Sequence, residues 1–386
     1  MIPRDAEKEI IKLSKEFKAV ALVGPRQSGK TTLARHTFKH LPYVSLENPD
    51  TRNFALEDPR GFLAQYSSGA ILDEAQRAPQ LFSYLQQVLD ESFDTGRFII
   101  TGSNNFLLQE SISQSLAGRI AYLYLLPFSI SELSIDSDLD GTLLKGFYPP
   151  IYDQPVDRRK WHANYIRTYI ERDVRQIRNI TDLNTFERFL RLCAGRIGQL
   201  LNMSSLSVET GVDSKTIASW FGVLESSFIT LRLQPHHANF NKRVVKMPKL
   251  YFYDTGVACA LLGIENEQQL LTHYARGSIF ENLVITEIIK QRFNKGLNHN
   301  LFFWRDNVGH EVDIIAETKG RLFPVEIKSG QTVTGDFFKY LLYYMQISNA
   351  GKGMIIYAGN QAQERSAGCS VVPWHHVHRV YDEIFG

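Results

Sequence analysis

The apolar run Ala19-Val20-Ala21-Leu22-Val23 leads directly into Gly24-Pro25-Arg26-Gln27-Ser28-Gly29-Lys30-Thr31-Thr32 near the start of the chain. A short apolar run that stops at Gly-Pro is typical of a buried strand in a parallel sheet. Leu33, Ala34 and Phe38 then follow at helical spacing. The segment therefore predicts a strand, a loop bracketed by glycines, and a helix that begins where the loop ends.

The loop has the residue types of a phosphate-binding P-loop in its required strand-loop-helix context. Glycines allow backbone N–H groups to turn towards phosphate oxygens, and the helix N-terminus adds positive potential. We expect Lys30 to reach the β- and γ-phosphates of ATP and Thr31 to hold Mg²⁺. The predicted nucleotide-binding residues of the loop are Gly24, Pro25, Arg26, Gln27, Ser28, Gly29, Lys30, Thr31 and Thr32.

A pair of carboxylates, Asp73-Glu74, ends the second apolar run, Ala70-Ile71-Leu72. Carboxylates at the end of a core strand are costly unless a cation or a reaction requires them. We expect Asp73 to take part in binding the nucleotide and its Mg²⁺, and Glu74 to orient or deprotonate the attacking water. An exposed acidic strand end is the alternative.

Polar residues follow a third predicted core strand, Arg97-Phe98-Ile99-Ile100. If this strand lies between the P-loop strand and the Asp73 strand, Ser103 or Asn104 would contact the γ-phosphate. The sequence does not choose between these two side chains, and turn residues without a nucleotide contact would show the same pattern.

Several motifs occur in a fixed order along the chain. They are Gly24 to Thr32, Leu72 to Gln76, Thr101 to Ser103, Leu116 to Arg119, Pro127 to Ser129 and Tyr251 to Gly256. This order resembles a family of prokaryotic AAA+ ATPases that carry an uncharacterised C-terminal domain with a restriction-endonuclease-like core. The similarity extends over essentially the whole chain and departs from the family pattern at Asn104-Asn105. It implies an α/β fold that starts with a P-loop AAA-type parallel sheet domain.

The same resemblance implies a catalytic role for Arg119 as an arginine finger on the γ-phosphate of a neighbouring subunit. A residue that acts in trans requires a homo-oligomer, such as a ring. The alternative is an ion pair between Arg119 and a carboxylate of its own chain.

A turn-rich break at Gly146-Phe147-Tyr148-Pro149-Pro150 indicates a domain boundary. The predicted domains are 1–150 for the ATPase, 151–235 for a helical linker and a winged-helix module, and 236–386 for the nuclease-like domain.

Residues 206–217 have the order of a helix-turn-helix, with a strand or wing predicted at 228–233. Ser214, Lys215 and Ser219 are the candidates to face a DNA duplex. The alternative is a protein contact, because AAA proteins also use winged helices in that way.

The segment before this module carries an aromatic stripe, since Trp161, Tyr165 and Tyr169 recur every four residues. We interpret the stripe as core-facing. Arginines of the same segment would either contact phosphates or lie on a solvated helix with internal ion pairs; they are Arg167, Arg175 and Arg178. A second basic cluster after the module consists of Lys242, Arg243, Lys246 and Lys249, and His236 and His237 are expected to be ordinary surface histidines.

Two predicted strands near the end of the chain carry Glu311 and Asp313 on one, and Glu326 and Lys328 on the other. With Lys319-Gly320 as a two-residue hairpin turn, Asp313 faces Glu326 across the pair. Alternation along the strand places Glu326 and Lys328 on one face. Two carboxylates and an ammonium there would bind Mg²⁺, activate water and stabilise a phosphate.

This residue set is similar to that of the PD-(D/E)XK nuclease superfamily, with Glu281 matching the additional acid on a helix. The resemblance implies a restriction-endonuclease-like α/β domain whose catalytic residues are Glu281, Asp313, Glu326 and Lys328. Asp313 and Glu326 would be the metal ligands. An edge hairpin with cross-strand ion pairs is the alternative.

The composition is that of a globular chain, with 386 residues, 44% hydrophobic and 22% charged. Because the formal net charge is only +2, a nucleic-acid partner must be recognised through local patches. Three widely spaced cysteines and the lack of a long apolar segment favour a cytoplasmic protein with no membrane contact.

Two functions follow from these patterns. The first is an ATP-hydrolysing enzyme that remodels, translocates or cleaves DNA with Mg²⁺. The second is a nucleotide-switched DNA- or protein-binding regulator whose nuclease-like domain is catalytically silent.

Overall fold

The computed structural model describes residues 1–103, 116–169, 182–236 and 244–386. Their contacts group them into two compact units. Unit 1 contains the described residues of 1–128, 226–228 and 292–298, and unit 2 contains those of 129–225, 229–291 and 299–386. The break at 146–150 lies inside unit 2, and the division into three domains stays a prediction.

All three apolar runs that the sequence predicts as core strands form strands of unit 1. The strands are β1 Ala19–Val23, β2 Tyr43–Ser45, β3 Ala70–Asp73, β4 Phe98–Gly102 and β5 Ile120–Tyr124. They form one sheet in the order β2-β3-β4-β1-β5, and every neighbouring pair is parallel. The carboxyl ends of β1, β4 and β3 therefore lie side by side at one edge of the sheet.

Helices cover this sheet and complete an apolar core in which Val20, Leu22, Leu33, Ile71 and Ile99 are fully buried. The helices of unit 1 are α1 Glu7–Glu16, α2 Lys30–Thr37, α3 Pro49–Glu57, α4 Pro59–Ala64 and α5 Leu81–Asp90.

The first part of unit 2 is helical, and its aromatic stripe packs as predicted. Trp161 and Tyr165 stack with ring centroids 5.0 Å apart, and the Tyr165 hydroxyl is 2.8 Å from that of the buried Tyr148. The helices here are α6 Ile130–Leu133, α7 Leu139–Lys145, α8 Pro150–Asp153, α9 Arg158–Thr168, α10 Leu183–Ala194, α11 Met203–Thr210 and α12 Ser214–Ser226.

The predicted helix-turn-helix order is present in α11 and α12. Asp213 caps α12, because its Oδ1 accepts hydrogen bonds from the backbone N–H groups of Lys215 and Thr216 at 2.8 and 3.0 Å. The strand after it, β6 Thr230–Leu233, pairs antiparallel with β7 Lys249–Phe252. Both strands are largely buried, and the winged-helix module stays a prediction.

The motif from Tyr251 to Gly256 is a structural junction of unit 2. The Asp254 carboxylate accepts hydrogen bonds from the backbone N–H of Val257, 2.9 Å away, and from that of Phe147, 2.7 Å away. It thereby caps α13 Thr255–Leu261 and fixes the predicted turn-rich break. The next helices are α14 Glu267–Thr272 and α15 Arg276–Phe293.

The last part of unit 2 is a six-stranded sheet in the order β12-β13-β11-β10-β9-β8. Its strands are β8 Leu301–Arg305, β9 Glu311–Thr318, β10 Arg321–Lys328, β11 Gly353–Tyr357, β12 Gln363–Arg365 and β13 Cys369–Pro373. Helices α16 Lys339–Ser348 and α17 Tyr381–Phe385 accompany it.

The predicted hairpin between β9 and β10 has the expected register. Thr318 pairs with Arg321, and Ile314 pairs with Val325. Lys319 and Gly320 both have positive φ, 49° and 75°, which is the conformation of a type I′ turn. The register therefore brings Asp313 and Glu326 next to each other, as the sequence predicts.

The predictions for Lys249 and His236, both expected at the surface, were wrong. Lys249 is only 3% exposed and is not part of an exposed basic patch, because the first position of β7 faces carboxylates. His236 is buried rather than superficial, with its Nε2 3.9 Å from Glu317. The predictions for Asn104, Asn105, Arg175, Arg178, His237, Lys242 and Arg243 lie outside the described residues.

Within the described residues, no helix is both long enough and apolar enough to cross a membrane. Cys193, Cys259 and Cys369 are buried free thiols.

Asn282 is the basis of a stability prediction for unit 2. Its buried side-chain amide accepts from the backbone N–H of Phe252 at 2.7 Å and donates to the Phe252 carbonyl at 2.8 Å. Asn282→Ala leaves both backbone groups without this partner, which costs about 2–5 kcal/mol. Urea and thermal unfolding should show clearly lower midpoints. Asn184→Ala, at an exposed helical position, is the control, and equal midpoints for the two variants would contradict the assignment.

Candidate functional site

The P-loop connects β1 to α2 and packs closely against the backbone that directly follows β5. A Cβ atom at position 24 would lie 2.1 Å from the Leu125 carbonyl oxygen, so only glycine fits there. Lys30 is the first residue of α2 and is 6% exposed. Its Nζ donates to the carbonyl oxygens of Gly24 at 2.9 Å and Pro25 at 2.7 Å. The ammonium is therefore held over the loop.

The other loop residues also fit a phosphate-binding role. Gln27 and Gly29 have positive φ, 59° and 92°, a pattern that forms anion-binding concavities of backbone N–H groups. Ser28 is fully buried, and its Oγ has no hydrogen-bond partner among the described residues. Arg26 is half-buried and Thr32 is exposed on α2.

Asp73 is the centre of a hydrogen-bond network at the carboxyl edge of the sheet. Its Oδ1 accepts from Thr31 Oγ1 at 2.8 Å and from the Thr101 hydroxyl. Its Oδ2 accepts from the Tyr43 hydroxyl at 2.8 Å. A hydroxyl and a carboxylate side by side are oxygen ligands of the type that Mg²⁺ prefers. Thr31 and Asp73 therefore fit the predicted Mg²⁺ of a bound nucleotide.

Glu74 lies beside this network with a left-handed backbone, φ 54°. Its Oε2 accepts hydrogen bonds from Ser103 Oγ at 3.0 Å and from Gln76 Nε2 at 2.5 Å. The structure thus brings the predicted catalytic carboxylate and the predicted sensor Ser103 into direct contact. Asn104, the other sensor candidate, is outside the described residues.

Arg119 pairs with a carboxylate of its own chain, the alternative that the sequence left open. Its Nε is 2.5 Å from Asp90 Oδ1 and its Nη2 is 2.9 Å from Asp90 Oδ2. This bidentate contact lowers the pKa of Asp90 and raises that of Arg119, chiefly through the hydrogen bond. A role of Arg119 in trans would require that this pair open.

Sequence reasoning missed two residues that shape the nucleotide site. Tyr43 bonds to Asp73, and burial followed by the Asp73 hydrogen bond raises the pKa of its hydroxyl, which keeps it a donor. Arg4 is buried, and its guanidinium donates to the carbonyl oxygens of Ser28 and Leu126, both at 2.7 Å. A lone arginine far along the chain from the loop gives no local signal for this contact.

The predicted nuclease-like residues converge in unit 2. Glu281 comes from α15, Asp313 from β9, and Glu326 and Lys328 from β10. Lys328 Nζ donates to Glu326 Oε1 at 2.5 Å, as their shared face predicts. Asp313 Oδ2 accepts from the backbone N–H of Ile327 at 2.8 Å.

A cation that the sequence did not assign to this group lies within it. Lys249 Nζ is 3.0 Å from Glu281 Oε1 and 3.8 Å from Asp313 Oδ1, and it also contacts Glu311 Oε1. Burial lowers the pKa of Lys249, but the surrounding carboxylates outweigh this effect, Glu281 foremost, so the pKa is raised well above its usual value.

Burial also raises the pKa values of two carboxyl groups in this cluster. It raises the pKa of Asp313 well above its usual range, and the neighbouring Glu326 and Glu281 charges add to the effect. It raises the pKa of Glu326 to about 7 although Lys328 opposes the shift. Among the described residues, no group of three or more carboxylate, histidine or cysteine side chains is arranged to hold a metal ion.

Comparison with known proteins divides the chain into three matched segments. Residues 16–134 match the family described as AAA domain. Residues 136–268 match Domain of unknown function (DUF8612), and residues 276–377 match Domain of unknown function (DUF4143). The description of the last family names no activity, so the nuclease-like interpretation of this segment remains a prediction. The parallel sheet with its P-loop and the AAA match define an AAA-type P-loop ATPase, a class that binds nucleotide, usually with Mg²⁺.

Two relatives identify the family. Uncharacterised proteins of Mycobacterium bovis and Mycobacterium tuberculosis are each 32% identical over 333 residues, covering 85% of this chain and 74% of the relative. The chain belongs to the same family as these two proteins. A Walker-type ATPase of Pyrococcus abyssi is 15% identical, covers 68% of this chain and 96% of its own, and has a TM-score of 0.47.

Arg4 yields a prediction about the P-loop. Arg4→Met keeps an apolar stem of similar length but removes the hydrogen bonds to Ser28 and Leu126, so the loop loses a support. The dissociation constant for ATP should rise about tenfold, equivalent to about 1.4 kcal/mol. Titration with a fluorescent ATP analogue measures this change. Lys8→Met removes an exposed charge nearby and serves as the control; indistinguishable affinities would contradict the role of Arg4.

Proposed function

We propose that the protein hydrolyses ATP and that this cycle controls its action on DNA, which the C-terminal domain holds without cleaving. The observation that carries the ATPase part is the contact of Asp73 with Thr31 and of Glu74 with Ser103 at the carboxyl edge of the parallel sheet.

Each side chain has a separate role in ATP hydrolysis. Lys30 neutralises the β- and γ-phosphates, while Thr31 and Asp73 hold the Mg²⁺ that offsets charge on the phosphates. Glu74 orients or deprotonates the attacking water. Because Ser103 donates to Glu74, a γ-phosphate that draws Ser103 away would free the carboxylate for this task.

Assembly into a homo-oligomer is part of the proposal. Arg119 is half-buried and its partner Asp90 is exposed, so the pair can exchange its contact for a γ-phosphate of a neighbouring subunit. Asp90 would then pair with Arg119 only when no neighbouring subunit is bound.

DNA is the favoured partner because two separate features agree. Ser214 and Lys215 are exposed at the start of α12, the second helix of the helix-turn-helix order, and Ser219 is half-buried further along it. The convergence of Glu281, Asp313, Glu326 and Lys328 is the second feature. Cleavage by this group is the less favoured candidate, because the ammonium of Lys249 already lies among the carboxylates.

Glu74→Gln separates nucleotide binding from hydrolysis. The amide cannot accept a proton from water, so turnover should fall about 10²- to 10⁴-fold while ATP affinity stays near that of the wild type. Lys30→Ala should weaken ATP binding itself. Steady-state phosphate release and ATP titration distinguish the two variants. Glu91→Gln, at an exposed position, is the control, and wild-type turnover by Glu74→Gln would refute the assignment.

Turnover with DNA tests the partner. Hydrolysis should rise when single-stranded, duplex or branched DNA is added, and the strands should remain intact on a gel run from the same tubes. Lys215→Ala should reduce this stimulation without changing turnover in the absence of DNA, whereas Lys12→Ala, also exposed, should not. A rate of ATP hydrolysis that does not change with any of these DNAs would overturn this proposal and point to a protein partner.

A further inference from the structure

Lys249 lies where the carboxylates of the nuclease-like group converge. It begins β7 and is 3% exposed, so its charge is almost completely removed from water. Its Nζ contacts oxygens of Glu281, Glu311 and Asp313, which come from α15 and β9. A buried ammonium is stable only when such partners replace its hydration.

The carboxylates around Lys249 have further donors that fix their positions. Glu281 Oε1 also accepts from the Tyr251 hydroxyl, and Glu311 Oε2 is 3.1 Å from Arg305 Nη1. These contacts come from the neighbouring strands β7 and β8. The oxygens that face Lys249 are therefore held in place around the ammonium.

One oxygen of the group has no such donor. Glu326 is 3% exposed, and its Oε2 is buried without a hydrogen-bond partner among the described residues. A buried carboxylate oxygen of this kind is available as a metal ligand if the ammonium is removed. The four carboxyl groups outnumber the cations that face them, which are Lys249, Lys328 and Arg305.

A divalent ion ligated by Asp313 and Glu326 would lie close to the Lys249 ammonium, which is 3.8 Å from Asp313 Oδ1. Repulsion between a double and a single positive charge at such a distance is strong in a buried site. The ammonium and a metal ion therefore compete for the same oxygens.

We propose that Lys249 is the resident cation of this site and replaces the divalent metal ion that these carboxylates would otherwise bind. The site is held in a metal-free form that does not cleave phosphodiesters. Removing the ammonium allows Glu281, Asp313 and Glu326, which are not arranged around a metal ion while Lys249 is present, to rearrange into a divalent-cation site. This inference depends on the proposed function only for the statement that the C-terminal domain does not cleave.

The test measures Mn²⁺ binding to the full chain without nucleotide. The electron paramagnetic resonance signal of free Mn²⁺ reports how much of the ion remains unbound. Lys249→Met should bind Mn²⁺ at least about tenfold more tightly than the wild type, because it removes the competing charge. The double variant Lys249→Met/Asp313→Asn should lose this gain. Lys290→Met is the matched control, since Lys290 is also buried and paired with a carboxylate, Glu287, but lies outside the group.

The inference is overturned if Lys249→Met gains no Mn²⁺ affinity while remaining folded. It is also overturned if the wild type binds Mn²⁺ tightly and Asp313→Asn abolishes that binding. The second measurement needs no lysine variant and can overturn the inference even if Lys249→Met does not fold. ATP turnover and its response to DNA, measured on the same samples, show separately whether the proposed function fails.

Discussion

Asp73 accepts hydrogen bonds from three hydroxyl groups that belong to three different elements. Thr31 comes from α2, Tyr43 from β2 and Thr101 from β4. A buried carboxylate needs such donors, and their positions depend on the parallel order of the strands. One charged side chain thus ties the P-loop helix, the sheet and the strand before the sensor position together. Any group that binds to Asp73 acts on all of them.

The nucleotide site could be predicted from sequence to a large extent because its signals are local. A P-loop is defined by residues within a few positions of Lys30, and Asp73-Glu74 is recognised from the apolar run before it. Tyr43 and Arg4 have no such signal, since Arg4 contacts Leu126 across 122 positions. The sequence also could not decide the partner of Arg119, because its contact with Asp90 spans 29 positions.

The nuclease-like residues of unit 2 also show that contacts between residues far apart along the chain have no local sequence signal. The register of the β9–β10 hairpin follows from a two-residue turn and was predicted correctly, together with the pairing of Lys328 and Glu326. Lys249 was misassigned, because its neighbours Lys246 and Met247 are exposed and its carboxylate partner Glu281 lies 32 positions further along the chain. Charge compensation in a buried group is a property of the fold and cannot be recognised from one segment.

The bonding of β7 has a consequence for solubility. One side of the strand pairs with β6, while on the other Leu250 exchanges hydrogen bonds with Gly198 and Gln199 and Phe252 with the Asn282 amide. The two-stranded sheet thus offers no open backbone groups at these positions to a strand from another molecule. The backbone at Gly198 and Gln199 and the Asn282 side-chain amide occupy the positions of an additional strand, so this edge of β7 is protected from edge-to-edge aggregation between copies of the protein.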